Sequence, residues 1–157
     1  MPGVSVEVDS VRNYPYGPLV SQLLGYLLPI PEEQEQAYRD EGYDPATDKV
    51  GTAGIEATYE EVLKGTKGEQ IVEEDVLGRV RRVVEERAAA VPGDNIYLTI
   101  DLALQRAADQ ALKRGLAEAV SPRGVAIAMN PQTGEILAMV SLPDFDPHHP
   151  ADAPEEA

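Results

Sequence analysis

The sequence predicts an α+β fold: a pedestal of short strands and helices, followed by one longer helix and a β-hairpin. Three observations predict it. The alternation of "VSVEV" (residues 4–8) is soon followed by Leu19, Leu23, Leu24 and Leu27 at helical spacing, so strand and helix periods stand side by side. Thirteen Gly and thirteen Pro cut the 157 residues into short runs. Near the end, a helical apolar stripe precedes two apolar β-runs that flank the turn "NPQTG".

Each element has a local reason. "VSVEV" reads as a half-buried strand. "RNYPYG" (12–17) is a corner, because Pro15 fixes its own φ and pushes Tyr14 towards extended geometry. Gly17 and Pro18 suit the entry to a helix over 18–28, which Pro29 and Pro31 stop. Residues 32–41 predict a short exposed acidic helix ending at Gly42, and residues 42–54 a loop dense in Gly, Asp, Thr and Pro. Ile55, Tyr59, Val62 and Leu63 form the stripe of an amphipathic helix closed by Gly65. "EQIVEED" (69–75) and "RVRRVVEER" (79–87) predict a charged hairpin around Leu77 and Gly78. "AVPGDN" (90–95) reads as a linker, and "IYLTI" (96–100) as a strand. Asp101 is placed to cap the next helix with its carboxylate. Leu104, Ala108, Ala111, Leu112 and Leu116 make that helix's apolar stripe. Both strands of the final hairpin are apolar almost throughout, so cover is expected on both faces. The tail "HHPADAPEEA" carries no packing signal.

Composition narrows the function classes. At 43% hydrophobic residues the chain can bury a core, and with one Phe and no Trp that core must be aliphatic. The net charge of −15 disfavours nucleic acid, which needs a basic face, and anionic lipid surfaces as well. The absence of cysteine excludes disulfides and thiolate metal sites. "MPGVSVEVD" lacks the basic patch and apolar core of a signal peptide. The apolar stretch 18–31 falls short of the roughly 20 residues that span a bilayer, so a buried helix is the better reading.

The residues spell no catalytic constellation. "GTKGEQ" lacks the Lys-Ser/Thr ending of a phosphate loop. His148 and His149 are neighbours without a third ligand at useful spacing, and read as surface histidines. The acidic run at 32–41 lacks the spacing of a calcium loop and reads as a solvated face.

Four blocks in order carry a family signature. "RNYPYG" matches R-x-x-P-x-G. "GTAGIEATYEEVLKGTKG" (51–68) matches G-x-x-G-[IL]-E, a Tyr-Glu, then L-x-G-x-x-G. "PGDNIYLTIDLALQRAADQAL" matches PG-x-N-[VI]-x-LTID-x-x-LQ, and "VAIAMNPQTGEILAMVSLPDFDP" a hairpin ending in P-x-[FY]-D-P. Over residues 3–147 the chain resembles a class B penicillin-binding protein. The spacing and "GYDPATDKVG" look more like the elongation type, penicillin-binding protein 2, than the division type.

The resemblance implies a layout. Residues 1–92 would be the pedestal, or dimerisation, domain, truncated at its N-terminus. Residues 93–157 would open a transpeptidase domain and end before its active site. The family's nucleophile is the Ser of Ser-x-x-Lys, whose Lys, one helical turn on, takes the proton. Here Ser5, Ser10, Ser21, Ser121 and Ser141 are followed three residues later by Val8, Asn13, Leu24, Gly124 and Asp144. "KVG" (49–51) is a near miss for Lys-Thr-Gly, and it lies in the pedestal. The parent would be a serine-type D,D-transpeptidase, and this chain its inactive scaffold part, calling for no cofactor. A stand-alone acidic interaction domain is the alternative.

Partners implied for the parent are a RodA-type glycosyltransferase and rod-shape scaffold proteins. Its place would be the extracytoplasmic side, anchored by a membrane helix that precedes this chain. The motif positions expected to matter structurally are Arg12, Pro15, Gly17, Gly51, Gly54, Glu56, Leu63, Gly65, Gly68 and Asp101. An ion pair between Arg12 and Glu56 is expected to tie the corner to the helix from Ile55, with an exposed Arg12 as the alternative.

Overall fold

The "RNYPYG" corner folds as the sequence requires: the Gly17 N–H donates to the Tyr14 carbonyl at 3.0 Å, closing a turn through Pro15 and Tyr16. The computed structural model describes residues 12–75 and 80–150. The expected strand at 4–8, the hairpin turn at Leu77 and Gly78, and the end of the tail lie outside them. The chain divides into two compact units, Met1–Arg12 with Glu61–Asn95 and Asn13–Glu60 with Ile96–Ala157.

In the second unit, a 3-10 turn (Gly17–Val20) leads into the single-turn helix α1 (Ser21–Leu24). The helix expected over 18–28 is therefore shorter. It stops at Gly25, whose φ of 79° an L side chain rarely adopts. Leu27–Pro29 then forms strand β1, which pairs antiparallel with β2 (Lys49–Gly51), a strand inside the segment read as loop. Between them, a 3-10 turn (Glu32–Gln34) and helix α2 (Glu35–Asp40) make the expected exposed acidic helix. Gly54 opens α3 (Gly54–Thr58) at a φ of 60°, and a Cβ there would lie 2.6 Å from the Leu23 carbonyl oxygen, so α1 and α3 meet backbone to backbone. The single helix expected from Ile55 breaks at Tyr59 into α3 and α4 (Glu60–Leu63), and Tyr59 is exposed. The break lets the Glu60 carboxylate accept from the Gly51 N–H at 2.9 Å and the Tyr43 hydroxyl at 2.8 Å.

Helix α5 (Leu102–Ala119) starts at Asp101, whose Oδ1 accepts from the N–H groups of Ala103 at 2.8 Å and Leu104 at 2.9 Å. It packs on the hairpin of β5 (Gly124–Met129) and β6 (Ile136–Leu142). The inner face of β5 carries only Gly124, Ala126 and Ala128. These small residues leave room for the helix: a Cβ on Gly124 would lie 2.8 Å from Leu116. From β6, Ala138, Val140 and Leu142 are buried, and Tyr14, Val20, Ile30, Val50 and Phe145 share this unit's core. Among the described residues, cover reaches one face of the hairpin; Val125, Ile127 and Met129 on the other are exposed.

Three further expectations change here. "IYLTI" joins no ladder: Tyr97 is 91% exposed, and Thr99 binds β6 only through its hydroxyl, 2.6 Å from the Ile136 carbonyl. The α5 stripe is rotated, with Leu104 and Ala111 exposed and Gln105 buried in their place. His148, at the head of the tail, is exposed as a surface histidine should be, yet its ring meets Tyr14 edge-on instead of hanging loose.

In the first unit, β3 (Glu69–Glu74) and β4 (Val80–Ala88) form the expected antiparallel hairpin, with register irregularities along it. "AVPGDN" is held rather than free. Thr66 and Val91 exchange both backbone hydrogen bonds, at 2.8 and 2.9 Å, and the Asp94 N–H donates to the Val62 carbonyl at 2.9 Å.

Candidate functional site

Within the second unit, the segment from Tyr14 to Tyr26 meets α5, β6 and the loop after β6 along a seam. Its centre is Gln105, which is 0% exposed. The Gln105 amide nitrogen donates to the Leu19 carbonyl at 2.9 Å and the Met139 carbonyl at 2.7 Å. Its oxygen accepts from the Met139 N–H at 2.8 Å. Met139 lies opposite Ile127 in the hairpin but turns both its polar backbone groups to Gln105. The side-chain amide thus replaces a neighbouring strand on the open edge of β6, and its second proton ties the segment after the corner to that edge. Around it, Tyr26 meets Phe145 edge-on at 5.6 Å, and the Arg106 guanidinium stands 5.7 Å from the Tyr16 ring centre. The Gln22 amide reaches the Pro143 carbonyl at 3.3 Å.

A second tie starts at Tyr14. The Tyr14 hydroxyl donates to Glu56 Oε1 at 3.1 Å, and both residues are buried. The Tyr14 N–H donates to His148 Nε2 at 3.2 Å, and the two rings meet edge-on at 5.2 Å. His148 Nδ1 lies 3.0 Å from Asp146 Oδ1, which also accepts from the His148 N–H at 2.9 Å. Those bonds, the backbone one foremost, hold the Asp146 pKa down at about 2. Near the seam, Lys113 on α5 bridges Asp109 and Asp144, each at 3.0 Å. The hydrogen bond to Asp109 first, then that to Asp144, raises its pKa.

The motif positions read from the sequence fall into separate groups. Tyr14 joins the corner, with Pro15 and Gly17 in its turn, to Glu56 on α3. Gly51 and Gly54 stand where the β2–α3 connection passes close to neighbouring backbone: a Cβ on Gly51 would meet the Glu56 carbonyl. Leu63, Gly65 and Gly68 belong to the first unit, where a Cβ on Gly65 would meet the Val91 carbonyl. Arg12 is exposed, and Asp101 caps α5. Sequence reasoning missed Gln105, the bonding of Tyr14, and His148. Gln105 carried a usable signal: it lies three, four, seven and eleven residues before Ala108, Asp109, Leu112 and Leu116, so a polar amide sits on the packed helix face.

The seam can hold segments in place; it offers no activated nucleophile. Ser21, fully buried, donates its hydroxyl to the Pro18 carbonyl at 3.0 Å. Among the described residues, no cluster of His, Asp and Glu could hold a metal ion, and no helix is long and apolar enough to cross a membrane.

Comparison with known proteins gives this architecture its relatives. The family model of the penicillin-binding protein dimerisation domain matches residues 1–98. The chain is 35% identical over 147 residues to the peptidoglycan D,D-transpeptidase MrdA of Acinetobacter baumannii, covering 94% of this chain and 20% of that protein. It therefore spans about a fifth of the length of that relative. Among solved structures it resembles penicillin-binding protein 2X from Streptococcus thermophilus, with a TM-score of 0.67 and 28% identity over 85% of this chain and 18% of that one. A structure described as the coordination of polymerization and crosslinking by a peptidoglycan synthase complex matches with a TM-score of 0.66 and 37% identity, covering 81% of this chain and 23% of that one.

Proposed function

The chain belongs to the penicillin-binding protein family through its dimerisation domain, and on that premise we propose that it is the non-catalytic scaffold part of a peptidoglycan D,D-transpeptidase acting in cell-wall synthesis and cell-shape maintenance. Residues 1–92 act as the pedestal, and residues 93–157 open the transpeptidase domain. The observation that supports this reading best is Gln105. A buried amide fastens α5 and β6 to the segment that follows the corner, so whatever is built on that helix and hairpin inherits its orientation from the pedestal segment. A pedestal that sets the angle of a catalytic domain needs such a joint.

In this reading the protein works on the extracytoplasmic side of the membrane. Its partners there are a RodA-type glycosyltransferase and rod-shape scaffold proteins; the likeness to a component of a peptidoglycan synthase complex favours a synthase partner. Arg12 pairs with Glu56 to brace the corner. A double-mutant cycle reads that pair: because Arg12 is exposed, coupling of up to about 1 kcal/mol is expected, and additive losses count against it.

The test of the scaffold role has two arms. Incubated with a fluorescent penicillin and run on a denaturing gel, this chain alone should show no band, because none of its serines has a Lys three residues on. A labelled band that survives denaturation would overturn the non-catalytic role. In the full-length protein, Glu56→Ala should leave penicillin acylation in solution intact and abolish support of cell-wall elongation. Normal elongation would remove the scaffold function.

A further inference from the structure

Among the described residues, His148 is the side chain whose two ring nitrogens are committed to opposite roles. A backbone N–H can only donate, so the Tyr14 N–H, 3.2 Å away, requires a lone pair on Nε2. Nδ1, 3.0 Å from the Asp146 carboxylate, carries the proton. The bridge between the corner and the loop after β6 therefore exists only with the neutral imidazole in one tautomer. A second proton has only Nε2 to go to. There it would point at the Tyr14 N–H, donor against donor, and the bond would be lost. The same proton strengthens the contact with Asp146, so the charged ring stays with its own loop and lets the corner go.

We propose that His148 is a pH-sensitive latch on the Tyr14 corner, closed when the imidazole is neutral and open when it is protonated. The groups around it fit this direction. On its own segment stand Asp146 and His149, whose Nδ1 lies 3.3 Å from the second Asp146 oxygen. From the corner comes Tyr14, whose phenol is bonded to Glu56 on α3. Asp146 stays ionised down to about pH 2, so it remains an anchor for the charged ring throughout the range in which histidines change charge, about pH 5 to 8. The Tyr14 ring keeps its bond to Glu56 in both states. Opening thus frees the corner's backbone without unfolding the unit.

The experiment is amide hydrogen exchange by NMR on the whole chain between pH 8 and pH 5, with protection corrected for intrinsic exchange and the His148 ring followed by its C–H shifts. Protection of the Tyr14 amide should fall by about tenfold, the size expected for one lost hydrogen bond, in step with the His148 ring. The Met139 amide, held by the non-titrating Gln105, should keep its protection and report that the fold persists. In His148→Gln the pH dependence of Tyr14 should vanish, and in His149→Gln it should remain. Constant Tyr14 protection while His148 titrates would overturn the latch. So would the same fall in His148→Gln, or its loss in His149→Gln.

Discussion

Replacing Gln105 by Met tests the joint directly. Met keeps the length and unbranched shape of the side chain and removes all its polar atoms, so the change isolates hydrogen bonding from packing. Three backbone groups lose their partner: the Leu19 carbonyl and both the N–H and the carbonyl of Met139. A buried group left unsatisfied costs about 1–3 kcal/mol. The seam is partly buried at these bonds, so the low end applies, and three such groups sum to about 3 kcal/mol. In a chain of this size that corresponds to a melting temperature lower by about 6–12 °C. Urea denaturation and thermal melting read the total, and exchange at the Met139 amide localises it. Gln105→Glu should be worse still, because a carboxylate has no proton to give either carbonyl and its charge would be buried. A loss below about 0.5 kcal/mol with Met139 still protected would refute the view that Gln105 holds the seam.

Three other outcomes follow from single features. Asp101→Ala removes the carboxylate that accepts from Ala103 and Leu104, and should cost about 1 kcal/mol by denaturation, with Asp101→Asn retaining most of it. Val120 ends α5 in the left-handed region at φ 54° and is 90% exposed, so Val120→Gly relieves strain without losing packing and should stabilise by about 1 kcal/mol; a loss in melting temperature would contradict this. The Asp146 carboxylate is lowered from 3.8 to about 2 by bonds from His148. A depressed carboxylate stabilises above its unfolded pKa, so the turn over 146–149 should keep that contribution above pH 3.8 and lose it as pH falls through about 2, which the Asp146 carboxyl shift and the His148 amide report together.

The sequence alone determined whatever depends on neighbours along the chain. Asp101 caps α5 because its carboxylate lies within reach of the next N–H groups, a geometry local to a few residues. The α5 helix, the β5–β6 hairpin and the β3–β4 hairpin were legible because each repeats one period long enough to show it. The family was legible because four blocks of particular residues occur in order, which composition and period could not supply. Short elements were not legible: α1 stops at Gly25, and Leu27–Pro29 becomes a strand, because the Lys49–Gly51 backbone is there to pair with. The same holds for the break at Tyr59, which serves contacts of Glu60 to residues 9 and 17 positions back, beyond the reach of its own helix.

Only the tertiary structure decided the seam. Gln105 looks like an ordinary helix surface residue until Leu19 and Met139, 86 and 34 positions away, present backbone groups to it. His148 looks like the start of a loose tail until Tyr14, 134 positions away, supplies an N–H. A backbone group carries no side-chain identity, so a residue chosen to satisfy one leaves no complementary partner in the sequence to find. That is why the joint had to be read from the fold, while the elements it joins could be read from the chain.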